Sequence, residues 1–428
     1  MDPMPRQLLV LIAVLSFVCA AVSAQQRGRG TPQGDDAPAA RGAAPVTLPE
    51  GAGKDIVQKA CSECHALNSL TPGHDAAEWK LTMDRMMTAG AQVPANQVAT
   101  VTDYLIKNFP PRDVHPAVVI PGSARVTIRE WDVPTRGSRP HDPLAASDGS
   151  LWWSGQYANV LGRLDPKTGQ MKEYPLPTRS GPHGLVEDKS GNIWFTANFG
   201  AYVGKLSPKT GEVTQYKMPD PAARDPHTPL FDQKGMLWFT LQNSNMIGRL
   251  NPQTGEVKLV TAPTPRSLPY GMVVSSKGVP FLVFFGTNKI GSLDPDTMKI
   301  TEYTLPNPAT RPRRIAITDD DVIWYADYSR GYLGKFDPKT GQMKEWASPG
   351  GRDSQPYGIT AVKDIVWYSE SNTKPNTLVR FDPKTEKFQP WTIPSGGGVI
   401  RNMMATRDGD LVMACSAKNK VAFVDVSS

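Results

Sequence analysis

The chain has 428 residues, 39% hydrophobic and 21% charged, with 40 prolines, 37 glycines and four cysteines. This length can bury a large core, and so few cysteines exclude a disulfide-built scaffold. The net charge of +6 comes from 47 Lys and Arg against 41 Asp and Glu spread along the chain, which excludes the clustered basic face of a nucleic-acid binder, and the high proline and glycine content points to turn-rich β structure.

Residues 1–24 carry Arg6, an uncharged apolar stretch from Leu8 to Val22, and Val22-Ser23-Ala24 before Gln25. A positive start, an apolar middle and small residues at the cleavage point are the layout of a secretory signal. The apolar stretch is short for a spanning helix and no second one follows, so the expected location is periplasmic or otherwise exported, with no membrane span after cleavage. An uncleaved anchor is the competing reading. Val18 before Cys19 breaks a lipoprotein box. The cleaved chain keeps Cys61, Cys64 and Cys415, and residues 25–49, poor in large apolar side chains, read as a flexible linker.

Next comes Cys61-Ser62-Glu63-Cys64-His65. Cys-x-x-Cys-His is the attachment pattern of covalent haem c: two thiols add to the vinyl groups and the adjacent histidine reaches the iron. A redox dithiol would not need His65, and no second cysteine pair completes a zinc tetrahedron. Helical spacing predicts a helix over Lys54 to Ala60 leading into the motif, another over Ala76 to Thr88, and a third over Ala95 to Phe109. With Trp79, Met83, Met86, Gly90, Ala91, Tyr104, Leu105, Asn108 and Phe109 in this arrangement, residues 50–109 resemble a class I c-type cytochrome domain. The resemblance implies Cys61 and Cys64 as thioether anchors, His65 as proximal iron ligand and Met86 as distal ligand, with Met83, Met87 and His74 as alternatives. It also implies a periplasmic redox partner.

After a connector at 110–124, the sequence repeats. The marker Asp-Pro-x-Thr-Gly, in full or degenerate, begins at Asp165, Ser207, Asn251, Asp294, Asp337, Asp382 and Asp425, at spacings of 42, 44, 43, 43, 45 and 43. A period of this size, with short strands and turn signals, predicts a seven-bladed β-propeller over 125–428, one four-stranded blade per repeat. The whole chain therefore reads as two domains, a small all-α unit followed by an all-β propeller. The last marker leaves the final blade without an outer strand, and Arg125 to Trp131 resembles such a strand; it is expected to close the ring. The regular turns fall on one face and the variable loops, including Ala197 to Tyr202 and Ser369 to Thr377, on the other. The connector enters from the regular-turn face, but its residues reach about 50 Å when extended, enough to return past a blade about 17–20 Å tall.

Aligned on the second-strand aromatic pair, the blades place His141, His183, His227, Tyr270, Arg313, Tyr357 and Arg401 at the start of the innermost strand. Three imidazoles converging on a channel mouth suit a divalent metal or acid–base work, and Arg313 and Arg401 beside them favour a small anionic ligand. The alternative is that Pro-His-Gly and Pro-Tyr-Gly are turn variants.

Gly181 to Gly184, Ile193 to Thr196 and Ile247 to Leu250 carry a resemblance to the streptogramin lyase family, also called virginiamycin B lyases. It covers about 300 residues and implies a propeller that opens an ester linkage by elimination. Histidines at the ring position, a magnesium ion and glutamates just after the Trp-Phe pair do the work. His141, His183 and His227 match the histidines. After the corresponding aromatic pairs stand Gly155, Ala197 and Leu241, while Asp327 and Glu370 hold the acid position in blades five and six, and Cys415 that in blade seven. Three functions follow as expectations: an exported haem protein coupling electron transfer to a binding propeller, a carbon–oxygen lyase with a tethered cytochrome, or a non-catalytic docking propeller.

Overall fold

The computed structural model describes residues 46–112 and 115–426. The expected signal and linker residues 25–45 lie outside them.

Seven four-stranded antiparallel sheets follow one another along the chain. Within a blade the inner strands lie between neighbouring blades and are apolar on both sides, whereas the outer strand alternates. In blade three, Leu237–Leu241 is buried throughout while Val257–Thr261 is partly exposed. The repeated phrases have local causes. Trp194 and Trp238 each donate Nε1–H to an aspartate of the preceding turn, Asp188 and Asp232, at 2.8 Å. Gly248 lies across from Phe239, and a Cβ there would come within 2.2 Å of that ring; Gly204 meets Phe195 in the same way. The Asp-Pro-x-Thr-Gly marker is the hairpin before the outer strand: Asp165 accepts from the Lys167 amide at 2.9 Å, and Gly169 turns the chain at φ +75°.

The ring closes as expected. Thr127–Asp132 pairs antiparallel with Lys420–Asp425, from Thr127 opposite Asp425 to Asp132 opposite Lys420, so the seventh sheet receives its outer strand from the N-terminal side and has four strands like the other six.

The described residues before the propeller include three α-helices, α1 (Lys54–Ile56), which continues as a wider turn over Val57–Cys61, α2 (Ala76–Thr88) and α3 (Val98–Asn108), with a 3-10 turn at Leu67–Leu70 between the first two. The third expected helix begins as a short 3-10 turn at Ala95–Gln97. Asp75 and Glu78 form a capping box at the start of α2, and Trp79 Nε1 donates to the Phe109 carbonyl at 2.8 Å, tying α2 to the end of α3. Leu48, Val57, Trp79, Met83, Val101 and Leu105 belong to a core separate from those of the blades.

The face of α2 opposite that core docks on the propeller. Glu78 meets Lys374 Nζ at 2.9 Å and Lys418 Nζ at 3.3 Å, Asp84 meets Arg136 at 2.8 Å, and Arg85 donates to the Ala417 carbonyl at 2.9 Å. These partners sit in loops after second and fourth strands, so the helices rest on the variable-loop face. The connector makes the return along blade six: the Lys374 amide donates to the His115 carbonyl at 2.7 Å and Gln389 brackets Ala124. Hydrogen bonding from His74 and the two lysines hold the Glu78 carboxyl well below its ordinary range against the opposing effect of burial. This contact is therefore present above that range and lost only as pH falls through the depressed value. Glu78→Ala is expected to loosen the docked helices by about 1 kcal/mol, an effect that high salt mimics in the parent. Faster proteolysis of the connector is the readout.

Candidate functional site at the propeller mouth

Each blade begins its innermost strand with a bulge. In blade one Pro140 pairs with Gly155 and Pro143 with Trp153, so an extra residue is accommodated between them, and the same shift recurs in the other six. A bulge re-aims consecutive side chains, and here it builds two layers from adjacent residues, one containing His141 and Arg313, the other Asp142 and Arg314.

In several blades a hydroxyl on the second strand joins the bulge of its own blade to that of the next. Ser154 Oγ accepts from the Asp142 amide at 2.9 Å and donates to the His183 carbonyl at 2.6 Å. Thr196 links the Gly184 amide to the His227 carbonyl, and Thr240 links the Thr228 amide to the Tyr270 carbonyl. These hydroxyls are positioning residues, and the Trp-Phe-Thr phrase was their signal in the sequence.

The first layer brings the three histidines side by side. Ring centroids lie 3.8 Å apart for His141 and His183, 3.7 Å for His183 and His227, and 4.0 Å for His227 and Tyr270. The Tyr270 and Tyr357 hydroxyls hydrogen-bond to each other. Arg313 lies 4.1 Å from the Tyr357 ring centroid, 4.4 Å from Tyr328, 4.7 Å from Phe285 and 5.3 Å from Tyr270. Aromatic faces stabilise a guanidinium without cancelling its charge.

The second layer was not anticipated. Arg314 crosses the channel from blade five: Nη2 donates to Asp142 Oδ1 at 2.8 Å, Nη1 to Thr228 Oγ1 at 3.2 Å and Nε to the Arg401 carbonyl at 3.0 Å. Asp142 Oδ1 also faces His141 Nδ1 at 2.9 Å, and Oδ2 accepts from Asn402 Nδ2 at 2.9 Å. Burial pushes the Asp142 carboxyl up, but Arg314 and the His141 hydrogen bond outweigh it and hold the group well below the usual carboxylate range.

The acids of the repeat position serve the surrounding loops. Asp327 accepts from the Arg311 amide at 3.0 Å and lies 3.1 Å from Arg330 Nε, with burial pushing its carboxyl up. Glu370 accepts from the Gly350 amide and Thr377 Oγ1, both at 2.6 Å, and from Ser348. Cys415 is a buried thiol 3.8 Å from Glu130 Oε1, pushed up mainly by burial, as a small packed residue would be.

His141, Asp142 and His183 offer ligand atoms within 4.8 Å of one another, the nearest approach to a metal set among the described residues. Magnesium does not fit it. A hard cation wants several oxygen ligands, and both Asp142 oxygens are engaged, one by a guanidinium that a metal would have to displace.

In the helical unit, Cys61 is half-buried and Cys64 exposed, both as free thiols. His65 Nδ1 lies 3.2 Å from the Ala66 carbonyl and 3.1 Å from Ser69 Oγ. Met83 is buried in the core and Met87 packs against it, while Met86 is half-buried and outside that cluster. His74 is engaged by Glu78 at 3.5 Å and packs edge-on against Trp79.

The virginiamycin B lyase family model matches residues 120–283 and 281–428. A streptogramin B lyase structure is 25% identical, with a TM-score of 0.65 over 71% of this chain and 98% of that one. The selenomethionine-substituted virginiamycin B lyase from Staphylococcus aureus is 22% identical, with a TM-score of 0.64 over 71% of this chain and all of that one. A catalytically inactive form of the S. aureus enzyme with quinupristin is 21% identical at the same TM-score and coverage. The latter two establish the fold alone. No curated protein matches the chain. The match spans the propeller, and the chain belongs to the virginiamycin B lyase family.

Proposed function

We propose that the propeller mouth carries out the kind of reaction for which its family is named, elimination at a carbon–oxygen bond of a small ester-bearing molecule. The stack of His141, His183 and His227 at 3.7–3.8 Å, on adjacent blades at the family's histidine position, carries this reading. Asp142 engages Nδ1 of His141 and Thr228 engages Nδ1 of His227, both at 2.9 Å, which orients the two rings. An imidazole nitrogen takes the proton beside the carbonyl, the C–H electron pair becomes the new C=C bond, and the C–O bond breaks. The carboxylate leaves with its pair, so no water is consumed. Incubation with quinupristin is expected to give a ring-opened product of unchanged mass with new ultraviolet absorbance. The double variant His183→Ala, His227→Ala should lose about 10²–10⁴-fold in rate. Unchanged turnover in that variant, or a product heavier by one water, overturns the assignment.

The motif Cys61-Ser62-Glu63-Cys64-His65 supports a second role on the same chain, one-electron transfer by a c-type haem in an exported protein. Cys61 and Cys64 would hold the haem, His65 would ligate its iron, and Met86, free of the helical core, would be the distal ligand. A thioether in that place raises the reduction potential, suiting the group to pass electrons to a periplasmic partner.

A further inference from the structure

We propose that the helical unit is a working part of the mouth: α2 grips the two supports of Pro140 and thereby fixes the aim of His141 and Asp142. This rests on the lyase reading and adds positioning residues to it, on a part of the chain outside the residues that the family model matches.

Pro140 opens the innermost strand of blade one, directly before His141 and Asp142. Its first support is the entry loop 135–139, which α2 holds by side chain and by backbone. Arg136 Nη2 donates to Asp84 Oδ2 at 2.8 Å, and Thr88 Oγ1 donates to the Arg136 carbonyl at 2.9 Å. The approach is close enough to require glycine at the next position. Gly137 sits at φ +68°, and a Cβ there would come within 2.3 Å of the Asp84 carbonyl oxygen and 2.6 Å of Thr88 Oγ1. The second support is the turn after the second strand of blade seven. Ser416 Oγ donates to the Pro140 carbonyl at 2.5 Å, and Arg85 Nη1 donates to the carbonyl of the adjacent Ala417 at 2.9 Å.

Little slack lies between these contacts and the imidazole. Ser138 is fully buried, the Tyr157 amide donates to its carbonyl at 3.1 Å, and Arg139 is held at φ +54°, while the Pro140 ring fixes its own φ. A displacement of the loop is therefore passed on to Pro140 rather than absorbed. Beyond it, His141 Nδ1 meets Asp142 at 2.9 Å and the imidazole stacks on His183 at 3.8 Å. Misplacing a reacting group by about 1 Å costs up to about 10²-fold in rate. Asp84, Arg85 and Thr88 thus act as positioning residues without touching the substrate.

The test is the full-length double variant Asp84→Ala, Thr88→Val, which alters only the helix side of the contact. With quinupristin its kcat is expected to fall about tenfold at nearly unchanged KM, because substrate binding is intact and only alignment is lost. Asp84→Ala, Thr88→Ser, which keeps the hydroxyl, should recover part of that loss. In nitrogen-15 spectra of labelled histidine, with peaks assigned through His141→Gln and His227→Gln, the His141 signals should move in the double variant while those of His227, two blades away, stay in place. Circular dichroism reports folding, and should the double variant misfold, Arg136→Gln, which breaks the same ion pair from the exposed side of the loop, carries both readouts. Parental kcat or unmoved His141 signals in a folded variant overturns the proposal, as does a failure of the serine to recover any rate. A raised KM at parental kcat would make α2 a wall of the substrate channel instead. Absence of any elimination product from the parent overturns the lyase reading alone, and the His141 signals then decide the positioning.

Discussion

Replacing Arg314 by methionine is expected to destabilise the propeller by about 3–5 kcal/mol, because removing one partner of a buried ion pair leaves an uncompensated charge. The residue is nearly inaccessible and joins blade five to blades one, three and seven through Asp142, Thr228 and the Arg401 carbonyl. Urea denaturation is the measurement. The double variant Arg314→Met, Asp142→Asn should recover most of the loss, since it removes the stranded charge along with its partner. The pH dependence has a definite sign. In the parent the Asp142 carboxyl is held low, so its contribution is present above the ordinary carboxylate range and lost as pH falls through the depressed value. In Arg314→Met burial acts with no guanidinium to oppose it, so Asp142 takes up its proton more readily and the deficit shrinks as the solution is acidified. A variant as stable as the parent at neutral pH would show that the channel pair carries no net weight.

The second large effect is on haem. Protein produced with a cytochrome c maturation system is expected to carry haem that resists acid–acetone extraction, and Cys61→Ala, Cys64→Ala to carry none, because each thiol makes one of the two covalent links. Either single variant should keep one link and shift the pyridine haemochrome band. Met86→Ala should abolish the distal thioether and lower the potential, whereas Met83→Leu, a volume-conserving change inside the helical core, should leave the spectrum unaltered. Protein without covalent haem after such expression overturns the haem reading. Loss of the distal signature in Met83→Leu instead of Met86→Ala reassigns the ligand.

Much of this molecule was legible from local regularities. The Trp-Phe-Thr and Asp-Pro-x-Thr-Gly phrases mark an inner strand and a hairpin because each makes its own short-range contacts, such as Trp238 with Asp232 and Asp165 with the Lys167 amide. Ring closure was legible for a related reason: an outer strand without inner ones, at Arg125 to Trp131, matches a blade with inner strands and no outer one. The histidine ring followed from counting one residue per repeat.

The alignment also placed Arg313 and Arg401 in that ring, but the second layer, with Asp142 and Arg314, was not legible in this way. A repeat alignment gives one position per blade, but the bulge turns two consecutive residues inward, so Asp142 and Arg314 stood unnoticed beside the residues that had been aligned. Asp142 and Arg314 are 172 positions apart and meet at 2.8 Å only because the ring brings blades one and five together across a channel. The place of the helical unit was likewise undetermined, since the length of the connector allowed either face. Its docking on the variable-loop face rests on Glu78, Asp84 and Arg85 meeting Lys374, Lys418, Arg136 and the Ala417 carbonyl. By itself, then, the sequence determined the repeat, its closure and the histidines, all of which depend on short-range chemistry repeated at a fixed interval. Only the tertiary structure decided which charges meet, because long-range pairing depends on geometry that no interval along the chain records.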